Sequence, residues 1–347
     1  MQLEVEHRRE FHSEMATWYW GGGTPSVLPT EVLSTLVHHF ERYVPLKQGG
    51  EFTLEANPED LSMKQIEAWR KLGINRLSVG IQSFVDSRLQ WMNRSHSSED
   101  AVAGIARAQD AGIENISVDL MYGLPGTSLG EWQDNVGMAM ELGVPHLSTY
   151  ALTVEDRTAL HASIKKGKSP GVNEDRANED FLWLRGHLRS KGWDPYELSN
   201  ACLAGWRAEH NSGYWSGEAY LGIGPGAHSF DGKRLRSWNK SNNGIYLQVW
   251  QKKHGLNDND ITACQEFETL NERDRINEQI LTNLRRSEGL NRKDMGEHAV
   301  YLDTVWENYE KRGWVVKSST HWKLSDAGLL WLNRIATEGF MAPSDVN

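Results

Sequence analysis

Strand and helix patterns alternate from about Ala16 to Thr153, and no other feature of the chain limits its fold so strongly. "ATWYW" is short and aromatic and runs into glycines, as a strand before a tight loop does. "PTEVLSTLVHHFERY" is amphipathic, with Thr30 as its N-cap. The unit then repeats: "EFTLEANP" precedes "LSMKQIEAWRKLG", "NRLSVGIQS" precedes "SSEDAVAGIARAQDAG", and "ENISVDLMYGLPG" precedes "SLGEWQDNVGMAMELG". Gly73, Gly112 and Gly143 close these helices, and "PHLSTYALT" supplies a fifth strand. Such alternation folds as right-handed βαβ units on a parallel sheet. Ahead of it, Leu3, His7, Phe11 and Met15 recur every four residues, which predicts a helix.

The sheet predicts where a ligand goes. Both a β/α barrel and a doubly wound sheet place ligands at strand C-termini. Polar groups end successive strands or their loops here: Glu55 in "TLEANPE", Gln82 in "GIQSF", Arg94 in "MNRSH" and Asp119 in "SVDLMYGLPG". Glu55 can accept from vicinal hydroxyls or an ammonium, or serve as a loop cap or ion pair. Gln82 needs partners if buried. Arg94 can pair with a carboxylate in a bidentate manner, or stay at the surface. Together they suit a polar, zwitterionic, nucleoside-like ligand. Gly21, Gly22 and Gly23 follow the first strand and can bring backbone N–H groups to a ligand, or merely turn the chain. "GGGTP" lacks the Lys of a P-loop and the spacing of a dinucleotide fingerprint.

After about Glu174 the texture changes. "NEDFLWLRGHLRSKGW" reads as a helix, and the segment through "YLGIGPGAHSF" is rich in glycine and aromatics. From about Glu266 the pattern is mainly helical, ending in a hairpin and a helix, a winged-helix-like order. Gly222, Gly224 and Gly226 read as a loop. The 15 tryptophans can pack core edges or line a flat aromatic ligand. A net charge of −10 argues against general nucleic-acid binding. No apolar run reaches transmembrane length, and the first residues lack a secretory signal's apolar core. The two cysteines, Cys202 and Cys264, form neither a disulfide framework nor a metal motif.

The ordered set "GGGTPS", "LEANPE", "RLSVGIQSF", "NRSHS", "SVDLMYGLPG", "YELSN", "HNSGYW" and "YLGIGPGAHS" resembles the coproporphyrinogen III oxidase-like branch of the radical SAM superfamily. From Tyr196 to Ser229 it is more similar to the HemW family of haem chaperones. The resemblance implies a partial β/α barrel lacking its first strand over residues 1–255. It also implies a HemN-type, mainly helical C-terminal domain over 256–347. It assigns S-adenosylmethionine (SAM) contacts to Gly22, Gly23, Thr24, Glu55, Gln82, Arg94 and Asp119. The complete family member also carries a [4Fe–4S] cluster on Cys-x3-Cys-x2-Cys. No cysteine precedes Cys202 here, so the chain is expected to be truncated ahead of the cluster loop, or to be a cluster-less relative.

The implied function is haem binding and delivery to a respiratory acceptor, in the cytoplasm, with at most peripheral membrane association. The alternatives are oxygen-independent coproporphyrinogen III oxidation and a cluster-less binding module. His210 and His228 are candidate haem contacts, or structural histidines. Trp206, Tyr214, Trp215 and Tyr220 can stack on a porphyrin or pack the core. No catalytic residue and no metal ligand is assigned.

Overall fold

A computed structural model describes residues 1–11, 14–156, 158–252 and 258–342. In chain order the first elements are α1 (Gln2–His7), β1 (Met15–Trp20), α2 (Thr30–Tyr43), β2 (Leu46–Ala56), α3 (Met63–Lys71) and β3 (Arg76–Gln82). They are followed by α4 (Asp86–Trp91), α5 (Ser98–Asp110), β4 (Asn115–Tyr122), α6 (Leu129–Glu141) and β5 (His146–Ala151). Then come α7 (Ala159–Lys165), α8 (Glu174–Ser190), β6 (Asn200–Cys202), α9 (Glu209–Ser216), β7 (His228–Phe230), β8 (Leu235–Asn239), α10 (Asn243–Trp250), α11 (Asp258–Cys264) and β9 (Gln265–Thr269). The last are α12 (Glu272–Leu284), β10 (Leu290–Asn291), α13 (His298–Val305), α14 (Glu307–Lys311), β11 (Val315–Lys317), β12 (His321–Leu324), α15 (Asp326–Leu329) and α16 (Leu332–Glu338).

The fold is α/β. Strands β1 to β6 lie side by side in sequence order in one six-stranded sheet, a half-barrel. β2 to β5 are parallel, and β6 closes the row antiparallel to β5. Local signals start and stop the helices. Ser97 and Asp100 form a capping box at α5, Ser62 caps α3 and Ser128 caps α6. Gly73, Gly112 and Gly143 follow their helices at positive φ. Thr30, expected as a cap, is the first residue of α2. The first helix stops at His7, and Met15 belongs to β1. The four-residue spacing carried across a turn that breaks the helix.

The chain forms two compact units, one of 1–18, 31–50 and 208–347 and the other of 19–30 and 51–207. The boundary expected between 255 and 256 lies outside the described residues. In the second unit, Leu54, Leu77, Val79, Ile116, Val118 and Leu147 are fully buried on one face of the sheet. Ile66 and Trp69 of α3, Ile105 of α5 and Val136 of α6 are buried with them.

In the first unit, Glu4 of α1 is buried. It accepts from Asn239 at 2.6 Å, Tyr246 Oη at 2.5 Å and the Gly224 N–H at 2.9 Å. At the C-terminal end of this unit, β10, β12 and β11 form a small antiparallel sheet. With α12 to α14 and α16 it makes the winged-helix-like arrangement. The helix expected over "MGEHAVYLDTVWENYEKRG" is broken at Trp306, whose indole turns inward to donate to the Ile335 carbonyl at 2.8 Å. Among the described residues no helix is long and apolar enough to cross a membrane.

Candidate functional site

Successive residues of a strand point to opposite faces. Opposite the apolar face of β2 to β5 lie Thr53 and Glu55, Arg76 and Ser78, Ser117 and Asp119, and His146 and Ser148. Most are buried, so each must find a partner inside. The row ends at the strand C-termini, where Glu55 and Asp119 are only half-buried.

Glu55 is held by the glycine run. Tyr19 Oη donates to its Oε1 at 2.6 Å, and the Gly22 N–H donates to Oε2 at 3.2 Å. A Cβ on Gly21 would lie 2.4 Å from the Glu55 carboxyl carbon, so a larger residue there would push that carboxylate out of its place. Gly22 has φ +77°, a conformation glycine adopts freely. Burial, reinforced by the adjacent Glu55 carboxylate, holds the Tyr19 hydroxyl well above the ordinary phenol range, so it donates. Gly23 is exposed and Thr24 half-buried in the same loop.

Asp119 accepts from Ser78 at 3.2 and 3.3 Å and from Ser148. Burial pushes its carboxyl up to about 7, against those hydrogen bonds and Arg76, and the Glu55 charge adds to the rise. Tyr150 stands beside it on β5, exposed, its hydroxyl pushed up to about 12 by partial burial and then by Asp119.

Gln82 has φ +70°, rare outside glycine. The Ser83 N–H donates to the Ile81 carbonyl at 2.9 Å, so Gln82 is the middle of a classic γ-turn, and the β3–β4 register shifts there. Neighbours hold this strained turn in place. The Ile81 carbonyl lies 3.1 Å from His96 Nε2, and Asn135 Oδ1 accepts from the Phe84 N–H at 2.5 Å. Arg94 Nη2 donates to the Gly80 carbonyl at 2.8 Å and to Asn57 Oδ1 at 3.0 Å. It therefore ties the loop after β2 to the end of β3. Ser95 bonds Glu59, and His96 Nδ1 is 3.3 Å from the same carboxylate.

The seven residues predicted from sequence lie in one unit, at or after the C-terminal ends of β1 to β4, here termed the mouth of the half-barrel, and Tyr19 and Tyr150 lie beside Glu55 and Asp119 there. Tyr19, Ser78, His96, Ser148 and Tyr150 were not predicted. For Ser78, Ser148 and Tyr150 the signal was the period-two recurrence of polar residues along β3 and β5; Tyr19, on β1, and His96, in the loop before α5, had none.

The histidine candidates lie in the other unit. His210 Nδ1 is 2.7 Å from Thr17 Oγ1, and Nε2 is 3.1 Å from Tyr214 Oη. Ring contacts continue from His210 to Tyr214 at 4.9 Å, to Tyr220 at 4.7 Å and to Phe230 at 6.2 Å. His228 is exposed and stacks on Trp238 at 5.7 Å. Trp215 instead lies under the Arg285 guanidinium, 4.2 Å from its centroid.

Residues 4–139 match the radical SAM superfamily. The chain is 31% identical over 333 residues to the haem chaperone HemW of Bacillus subtilis, covering 93% of this chain and 84% of that protein. It is 32% identical over 288 residues to HemW of Lactococcus lactis, covering 82% of this chain and 73% of that one. The fold is similar to that of coproporphyrinogen III oxidase (HemN) of Escherichia coli, a radical SAM enzyme, with a TM-score of 0.81. That match has 20% identity and covers 98% of this chain and 81% of the other.

Proposed function

As the chain belongs to the radical SAM superfamily, in its coproporphyrinogen oxidase-like branch, we propose that it is a HemW-like haem chaperone. The observation that carries this is the 31% identity to a haem chaperone along 93% of the chain. Likeness to the oxidase is one of fold, at 20% identity. Haem is the ligand in this reading, a respiratory haem protein the acceptor, and the cytoplasm the location.

His210 suits an axial contact. Both ring nitrogens already have hydroxyl partners, so an iron at Nε2 would have to displace the Tyr214 hydroxyl, whose ring is partly exposed and packs on Tyr220. The aromatic file beyond it offers faces for a macrocycle. His228 is a second contact in the same proposal.

The family implies SAM and a [4Fe–4S] cluster. Such a cluster takes three thiolates from the protein. This chain has two cysteines, Cys202 and Cys264, both buried, with burial raising both thiols. The residues present do not fit the cluster. They do fit SAM: Glu55 and Asp119 suit an ammonium and ribose hydroxyls, Gly22, Gly23 and Thr24 offer backbone, and Gln82 and Arg94 close the rim. The function proposed is haem binding and transfer, on the strength of the HemW likeness.

Size-exclusion chromatography after incubation with haem, beside anaerobic incubation with coproporphyrinogen III and SAM, separates this from the oxidase reading. Haem should co-elute with the chain and coproporphyrinogen should remain. Decarboxylated product without haem retention would reverse the assignment.

A further inference from the structure

The polar face beneath the mouth contains a continuous run of side chains that starts at Asp119 and passes into residues given no ligand contact. Asp119 accepts from Ser148, its register partner on β5. Ser148 Oγ is 2.9 Å from Ser117 Oγ. Ser117 Oγ is 2.8 Å from Nδ1 of His146, again its register partner. His146 Nε2 is 2.9 Å from the Tyr196 hydroxyl. The run descends two rungs of the β4–β5 ladder and ends in the segment before β6. His146 and Tyr196 are buried, and every member is in one unit.

A chain of hydroxyls ending on an imidazole has two complete polarities. With Asp119 ionised, Tyr196 donates to Nε2, the Nδ1–H donates to Ser117, Ser117 to Ser148, and Ser148 to the carboxylate. With Asp119 protonated by solvent, its O–H donates to Ser148, Ser148 to Ser117, and Ser117 to Nδ1. The Nε2–H then donates to Tyr196, whose hydroxyl turns away. One proton is taken up, at Asp119, and the imidazole remains neutral while its N–H moves between nitrogens. We propose that this chain couples the ionisation of Asp119 at the mouth to the tautomer of His146 and the orientation of Tyr196. Ser148, Ser117 and His146 are positioning residues, and a cationic ligand that keeps Asp119 ionised is registered in the segment leading to β6.

The surroundings suit this role. Burial, with Arg76, keeps His146 well below the ordinary imidazole range, so it does not charge. The charged or titratable groups facing Asp119 are Tyr19 from β1, Glu55 from β2, Arg76 from β3 and Tyr150 from β5. The coupling is read in the unliganded chain, so its test is independent of whether SAM binds at Asp119.

The test is NMR of protein labelled with ¹⁵N-histidine and ¹³C-aspartate, titrated from about pH 5 to about pH 9, across the range of the raised carboxyl. His146 should switch from the Nε2–H to the Nδ1–H tautomer, with the midpoint of the Asp119 carboxyl signal. Ser117→Ala should leave Asp119 titrating and hold His146 in one tautomer, and Ser117→Thr should restore the switch. Asp119→Asn, which leaves the serines in place, should abolish it. A His146 tautomer constant across the Asp119 titration in the parent would overturn the proposal. So would a switch surviving in Asp119→Asn.

Discussion

At the residue scale, Gly21 and Asp119 shape the strand ends for opposite reasons. Gly21 matters for what it lacks, since its missing Cβ is where the Glu55 carboxyl sits. Gly21→Ala should push Glu55 off the Gly22 N–H and cost about tenfold in SAM affinity, about 1.4 kcal/mol, with stability little changed. Calorimetric titration beside a thermal melt checks this, and a large loss of Tm at unchanged affinity would count against it. Asp119 matters for where it is. Its folded carboxyl, at about 7, lies above the unfolded value near 3.8. The folded state therefore binds the proton more tightly, and this group's contribution to stability falls as pH rises through that interval. Asp119→Asn should gain about 4 kcal/mol over the parent at about pH 8 and little at about pH 4, read from urea melts at both. An equal gain at both pH values would refute the assigned cause.

Among the elements, the βα alternation was legible because α3, α5 and α6 each carry a Ser cap and a closing glycine, with a short apolar strand run between them. α4 and α7 were not, because each is a turn or two long with too few apolar positions to set a period. The break at Trp306 was hidden for another reason. Helical spacing on both sides is intact, while Trp306 at the break turns its indole in to donate to the Ile335 carbonyl. In the site, the carboxylates at strand ends were readable as residue types. The γ-turn at Gln82 was not, because nothing in "GIQSF" marks a positive φ on glutamine. That turn makes a prediction of its own. Gln82→Gly should relieve the strained backbone and raise the unfolding free energy by up to about 1 kcal/mol, while weakening ligand binding at the mouth. A loss of stability in chemical melts would mean that the turn is unstrained.

Across the whole molecule, the chain start is part of the first unit's core through Glu4. Burial raises that carboxyl, and Asn239, Tyr246 and the Gly224 N–H oppose the rise. Glu4→Ala would leave three buried donors unpaired and should cost about 3 kcal/mol in guanidinium melts; a change below about 0.5 kcal/mol would show the contact to be incidental. The chain thus joins a radical SAM fold with a polar strand-end mouth to two buried cysteines, Cys202 and Cys264. The most direct measurement is an equilibrium titration of haem into the purified chain and its His210→Ala variant, followed at the Soret band. The account predicts saturation at one haem per chain, with the variant weaker by about tenfold, the loss of one ligand contact. A spectrum that stays that of free haem, with parent and variant alike, would contradict it.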